Sequence, residues 1–493
     1  MSKKDVVLLT GASGSMGFET FKLLWEKRDR YAIVLLLRPS KKNKKKFRLY
    51  EHQAEQEGLK ETKGFRIVWG DVLNREDVVE ACRGIDWCLH PMALISPAAD
   101  HMPEMARKVN ARGTQYLVEA IEAENPEHIR LIYIGTVAEY GDRLPPLHLC
   151  RTGDPVIPSI YDHYANSKMS GELAVMQSRI KHKVSLRQTF IMIPDLLSLI
   201  DPIMFHQPIN SYMENITARD SGRLMIRCLE VGGDSDFWGG YYNISGGPGC
   251  RIVFLELLQG IYGMLGIRYQ KVMERKWFAL KNFHMVFYED SSRLNDYLRH
   301  WEGSQSMEDY YREVWKNLPW FMKATAWFAK YIPPFRWLVE AATRGQLKKL
   351  AHKPDGTMGW IENKDAGRID AFYGSMEAYN KIPGWDGPMP SLDHSQASLR
   401  LDHGYDESKA DLTLEDLQRA AEFRGGKLKT TNWDGNMHTS LQWQCCQNHA
   451  FKMTPHAVLK GGHWCLDCIA PPWNYDTIVD KNQFATQVLK PGL

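Results

Sequence analysis

"DVVLLTGASGSMGFETFKLLWEKR", residues 5–28, is a short apolar run that stops at a glycine and resumes as apolar residues at helical spacing. Gly11, Gly14 and Gly17 therefore fall on a strand-to-helix turn, where a missing side chain lets the backbone approach a pyrophosphate resting on the helix N-terminus. A tight turn alone would also call for glycine, so the continuation matters. "YAIVLLLRP" reads as a second buried strand, "FRIVWGDV" as a third, "IDWCLHPMA" as a fourth and "IRLIYIGT" as a fifth, with helical patterns such as "GTQYLVEAIEA" between them. Strands alternating with helices predict an α/β fold built on a doubly wound parallel sheet.

Composition bounds the rest. At 493 residues the chain exceeds the roughly 250 to 300 at which a single core stops growing, so two or three domains are expected. A hydrophobic fraction of 44%, a charged fraction of 25% and a net charge of +3 are ordinary for a globular protein and give no polyanion-binding footprint, so nucleic acid is not an expected partner. "MSKK" runs straight into the first strand, and no stretch reaches the roughly 18 apolar residues of a membrane span, which leads to a cytoplasmic expectation. Cysteines crowd between 445 and 468, while Cys82, Cys88, Cys150, Cys228 and Cys250 are scattered; this suits reduced thiols plus one metal cluster.

Two features speak to chemistry. Arg38 ends the second strand, where an acid would bind a ribose 2′-hydroxyl and a cation suits a 2′-phosphate. The "KKNKKK" that follows reads as a solvated loop. In "YDHYANSKMSGEL", Tyr164 and Lys168 stand four apart, on one helix face, where an ammonium favours phenolate and lowers the tyrosine pKa.

Taken in order, "TGASGSMG", "GDV", "VNARGTQYLVEA", "YIGTVAEYG", "YANSK", "SLRQTFIMIP" and "YEDSSRLNDYLRHW" resemble an extended short-chain dehydrogenase/reductase of the NAD-dependent epimerase/dehydratase-like superfamily, over residues 1–320. The resemblance implies a Rossmann-type cofactor lobe with a smaller α/β substrate lobe. It implies cofactor contacts from Gly11, Ser13, Gly14, Ser15, Met16, Gly17, Arg38, Asp71, Val72, Tyr164 and Lys168, with NADP expected before NAD. It assigns proton transfer to Tyr164, ribose binding and tyrosine activation to Lys168, and a hydrogen bond to the substrate oxygen to Thr136. Asn110 would support a relay water or cap a helix.

Departures from the family pattern narrow the expectation. Sugar-nucleotide dehydratases carry an Asp-Glu pair after the hydroxyl residue, and here Val137 and Ala138 follow Thr136. Gln188 and "FIMIP" replace the family's Asn and Tyr-Gly-Pro, which weakens sugar-nucleotide epimerisation. The Arg-ended second strand resembles flavonol-, cinnamoyl- and acyl-type reductases and hydroxysteroid dehydrogenases. The expected activity is thus NADP(H)-dependent interconversion of carbonyl and alcohol on an apolar small molecule. Epimerisation, or a non-catalytic dinucleotide sensor, is the alternative; the intact Thr136, Tyr164 and Lys168 speak against the sensor.

Beyond 320 the pattern changes. Residues 321–411 read as a helical and loop-rich connector, with "LPWFMKATAWFAKYIPPFRWLVEAA" as a helical bridge on the first domain, or else as a peripheral membrane contact through 319–343. Residues 412–475 read as a zinc module. Cys445 and His449 stand four apart, and Cys465 and Cys468 form Cys-x-x-Cys, a four-ligand set suited to closed, structural zinc. The segment is similar to a treble-clef zinc module, although Asn448 replaces the usual glycine and Cys446 is a rival first ligand. His456 and His463 read as surface residues, and 476–493 as a tail. A homodimer is compatible with all of this.

Overall fold

The computed structural model describes residues 4–60, 62–195 and 201–491. Seven strands form the central sheet: β1 (Asp5–Thr10), β2 (Tyr31–Leu37), β3 (Phe65–Trp69), β4 (Trp87–His90), β5 (Arg130–Thr136), β6 (His182–Gln188) and β7 (Tyr241–Ile244). Their order is β7-β6-β5-β4-β1-β2-β3, and every pairing is parallel. This is a doubly wound α/β sheet of the Rossmann type.

The strands are near-continuous apolar runs because both faces are covered. Val7, Leu9, Ile33 and Leu35 face one core with Phe21, Leu24 and Trp25 of α1 (Ser15–Glu26) and Phe47 of α2 (Lys41–Gln56). Leu8, Val34 and Leu36 face the other, with α3 (Arg75–Cys82), α4 (Thr114–Glu124) and α5 (His163–Met176). On the first face α1 also packs along α6 (Ala218–Cys228). The "KKNKKK" stretch is not a loop: it is the first turn and a half of α2, which Ser40 caps by accepting from Asn43 N and which Phe47 and Ala54 pin to the core. The lysines are mostly solvated, but on one side of a helix whose anchoring residues lie beyond the run itself.

A second core gathers Phe205, Ile252, Leu257, Trp277 and Tyr310, with short strand pairs around it. Helices α7 (Trp320–Tyr331) and α8 (Pro333–Ala351) lean on this lobe through Leu347, Leu350 and Ala351. Three short helices between 357 and 380 follow, with Trp360 buried among them. The C-terminal module holds α9 (Leu414–Phe423) and an antiparallel sheet of β8 (Lys427–Leu428), β9 (Leu441–Gln444) and β10 (Ala450–Met453) around Leu417, Trp443, Val458 and Trp464. Residues 476–489 are not a free tail: their two helices pack Ile478 and Ala485 against Val156 and Ile157.

Candidate active site and metal centre

The sheet order reverses between β1 and β4, and in an open α/β sheet the crevice beyond the carboxyl ends of the strands at such a point is where ligands bind. The sequence-predicted residues converge on that edge. Gly11 follows β1 at φ +65°, a left-handed conformation, and a Cβ there would meet the Met92 backbone after β4 at 2.8 Å. A Cβ on Gly17 would lie 2.2 Å from the Gly11 carbonyl, so the turn closes only with glycine at both places. Gly14 is the N-cap of α1 with no capping side chain, and Gly14 and Ser15 are exposed. Uncapped first-turn N–H groups beside a side-chain-free surface fit a pyrophosphate. Ser13 is half-buried and its carbonyl accepts from Lys46 of α2 at 3.1 Å, a tether that motif reading did not identify. Met16 is buried beneath the turn. Arg38 is exposed at the end of β2, its carbonyl fixed by the Asn43 amide at 2.9 Å. Asp71, after β3, accepts from Leu73 N at 2.9 Å, and Val72 packs under Gly113.

Thr136 ends β5, where its hydroxyl accepts from Ala138 N and lies beside the Tyr164 phenol of α5. The phenol titrates above its ordinary range, not below it as the Tyr-x-x-x-Lys spacing predicts. Burial is the main cause, outweighing the opposing effect of the neighbouring Thr136 hydroxyl. Lys168 does not offset it, because its ammonium donates to the Ile134 carbonyl at 2.6 Å and lies 4.1 Å from the Tyr133 ring centre. Burial brings Lys168 down to about 7. His90, hydrogen-bonded to Thr10 at 2.7 Å and Thr114 at 3.1 Å, is pushed to about 3 by burial and then by the Lys168 charge, so it stays neutral. Asn110 caps no helix: its amide spans Leu94 N, Leu94 O and the Ser167 hydroxyl, tying the loop after β4 to α5.

Three titratable residues around Tyr164 have no counterpart in the motif reading. Asp162 caps α5 by accepting from Ala165 N and pairs with His284 Nδ1 at 2.7 Å. Asp100, next to the start of α5, is raised to about 6, first by burial and then by Asp162.

Beneath them lies a wholly buried ionic network. Glu172, one turn beyond Lys168, receives Arg187 of β6 at 2.7 Å, Ser185 at 2.5 Å and His463 Nε2 at 2.6 Å. Burial opposes ionisation of Glu172, but Arg187 and His463 outweigh it and hold it well below the carboxylate range. Glu139, whose oxygens accept no hydrogen bond, is pushed well above that range by burial and by Glu172. Glu139, Glu172 and His463 come close enough to share an ion, yet the Arg187 guanidinium is already 3.7 Å from Glu139, 2.7 Å from Glu172 and 3.4 Å from His463. That cation serves the acids in place of a metal. His463 is therefore a core residue and not a surface one, and half-buried His456 stacks on Tyr241. The approach depends on Gly462, at φ +74°, where a Cβ would lie 2.0 Å from the Asp154 carbonyl.

The four residues predicted as metal ligands come together in one cluster. Cys445 Sγ lies 3.5 Å from Cys468 Sγ, and His449 Nδ1 lies 3.4 Å from Cys465 Sγ and 3.6 Å from Cys468 Sγ. Tetrahedral zinc with Zn–S of about 2.3 Å and Zn–N of about 2.0 Å requires separations of roughly 3.5 to 3.8 Å, so the donors fit. Cys446 is outside the set and packs with Trp473 and Ile469. Asn448 stands in for glycine because it holds φ +65°, which asparagine tolerates, in a turn closed by Cys445 N to His449 O.

This module lies along α5. Asn166 donates to the Ile469 carbonyl, Met169 and Leu173 enter the module's cores, Glu172 meets His463, and Gln177 accepts from Thr454 N. The helix that carries Tyr164 and Lys168 is thus clamped from the side of the Cys/His cluster.

Residues 7–196 match the family model described as the NAD dependent epimerase/dehydratase family, a stretch that spans the glycine turn, Thr136, Tyr164 and Lys168. Solved structures similar to this chain include a dTDP-glucose 4,6-dehydratase from Bacillus anthracis in complex with NAD, at 16% identity and TM-score 0.48, covering 65% of this chain and 97% of that one. A UDP-Glc/GlcNAc 4-epimerase from Campylobacter jejuni is similar at 15% identity and TM-score 0.46, covering 63% and 99%. A putative epimerase from Burkholderia cenocepacia is similar at 14% identity and TM-score 0.47, covering 65% and 99%.

Proposed function

We propose that the chain is an NAD(P)-dependent enzyme that interconverts an alcohol and a carbonyl, with Thr136, Tyr164 and Lys168 acting on the oxygen. The observation that carries this reading is the Tyr164 phenol beside Thr136 and one helical turn from buried Lys168, at the carboxyl edge of the sheet and next to a glycine turn. When bound, the nicotinamide supplies or accepts a hydride at its C4. The glycine turn and the first turn of α1 hold the pyrophosphate, and Arg38 offers its guanidinium to a 2′-phosphate. Thr136 donates to the substrate oxygen. Tyr164, kept as a phenol by burial, gives that oxygen its proton on reduction and takes it back on oxidation. Neutral His90 adds no second charge beside Lys168.

Val137 and Ala138 are buried and apolar, so the acid–base pair that elimination requires is missing where dehydratases carry it. We favour a net oxidoreductase on an apolar molecule. Epimerisation of a sugar nucleotide is the second reading, supported by the family matched at 7–196. The two differ in cofactor balance. A net reductase consumes NADPH in step with substrate, whereas an epimerase returns the hydride and leaves the cofactor unchanged. Product analysis with limiting cofactor separates them: more than one product per cofactor from a sugar nucleotide would overturn the net oxidoreductase.

We further assign zinc to Cys445, His449, Cys465 and Cys468. With four protein donors the site leaves no open position, so its contribution is to folding and to the clamp on α5.

A further inference from the structure

Helix α7 is amphipathic in the wrong direction for a helix that only bridges two domains. Its small residues face inward: Ala326 and Ala329 are buried, and a Cβ on Gly266 would meet the Ala326 carbonyl at 2.8 Å. Its large ones face outward. Trp320, Trp327 and Tyr331, at i, i+7 and i+11, share the solvent side with Phe321 and Phe328. Across Pro333 and Pro334, α8 continues the surface with Trp337 and Leu338, while Glu340, Leu347 and Leu350 turn inward. Trp320 is 80% exposed, Leu338 69% and Trp337 62%. Every exposed Phe, Tyr or Trp among the described residues lies between 315 and 337. A patch of this kind on a globular protein marks an interaction surface.

Charge specifies the partner. Between 314 and 354 the sequence has eight Lys or Arg and a single acid, Glu340, on a chain whose net charge is only +3. That acid is buried and bonded to Arg268 at 2.7 Å, and of the eight cations Arg344 is paired with Glu274, which leaves seven with no ion pair among the described residues. Exposed Lys316 and Lys330 flank the aromatic face. Among the described residues no helix is long and apolar enough to cross a membrane. Tryptophan and tyrosine with a lysine and arginine rim, on helices that are too short or too polar to span, suit the headgroup region of a bilayer.

We propose that the α7–α8 hairpin docks the protein on an anionic lipid surface, its aromatic side in the headgroup layer and its cations on the phosphates. The hairpin is held to the substrate lobe by Arg268–Glu340 and Arg344–Glu274, so docking brings that lobe to the membrane. Flotation of the full chain with vesicles tests this. Binding to phosphatidylcholine vesicles containing phosphatidylserine should be roughly tenfold or more tighter than to phosphatidylcholine alone, and should weaken with salt. A Trp320→Ser, Trp327→Ser, Trp337→Ser variant should stop floating with an unchanged melting temperature, because the three side chains are exposed. Lys316→Glu with Lys330→Glu should remove the preference for phosphatidylserine. Absence of flotation, or a triple variant that floats like the parent, overturns the proposal. So does a dimer in sedimentation that the same tryptophan changes dissolve without any vesicle binding, which would make the face a contact between copies.

Discussion

Among single residues, the proposed chemistry rests on Arg38 and Tyr164. Arg38 stands exposed where β2 ends, with its backbone locked by Asn43 and no acid at the strand end. Arg38→Asp should reverse cofactor preference from NADPH towards NADH, measured as the ratio of the two dissociation constants, since it exchanges a phosphate partner for a hydroxyl acceptor. Equal affinity of the parent protein for both cofactors would count against Arg38 as the reader. The positions of these residues were legible because each sits within a few residues of a strand end or in one helical turn. Their titration was not. The sequence spacing predicts a lysine that acidifies Tyr164, and burial dominates instead, a property of everything packed around the site.

At the scale of elements, the clamp on α5 carries a test of the metal. Cys465→Ser should lower zinc content towards zero, expose new protease sites beyond about residue 411, and loosen α5 through Ile469–Asn166 and His463–Glu172. His463→Ala keeps the ligands but strips one partner from a buried anion, and should cost about 2–3 kcal/mol in denaturant unfolding with zinc retained. Elemental analysis finding no zinc in protein purified without chelators would remove the metal. The glycine turn, the first five strands and the Cys/His spacing could be read directly because each is a local pattern. The "KKNKKK" helix escaped because its buried anchors, Phe47 and Ala54, lie outside the lysine run. The buried role of His463 escaped because its partner is 291 positions away, and a polar residue in a small Cys/His-rich module is ordinarily solvated.

For the whole molecule, stability should fall in mild acid. Burial lowers His90 and His456 to about 3 and His206 and His300 to about 4. Below the usual histidine value of about 6.5, the unfolded chain binds these protons and the folded one does not, so stability rises with pH in this window and is lost as pH falls from about 6.5 towards 4. Melting temperature followed across that range, together with proton uptake on unfolding, checks it; a flat profile would mean these rings are protonated in the fold. The central claim is proton transfer by Tyr164 coupled to hydride transfer at the β1/β4 crevice. It is tested most directly by following deuterium from 4-deuterated NADPH into a panel of carbonyl substrates with the parent protein and with Tyr164→Phe. The account predicts transfer by the parent and a loss of roughly a hundredfold or more in kcat for Tyr164→Phe, at unchanged NADPH affinity. Deuterium transfer at the parent rate by Tyr164→Phe would contradict it.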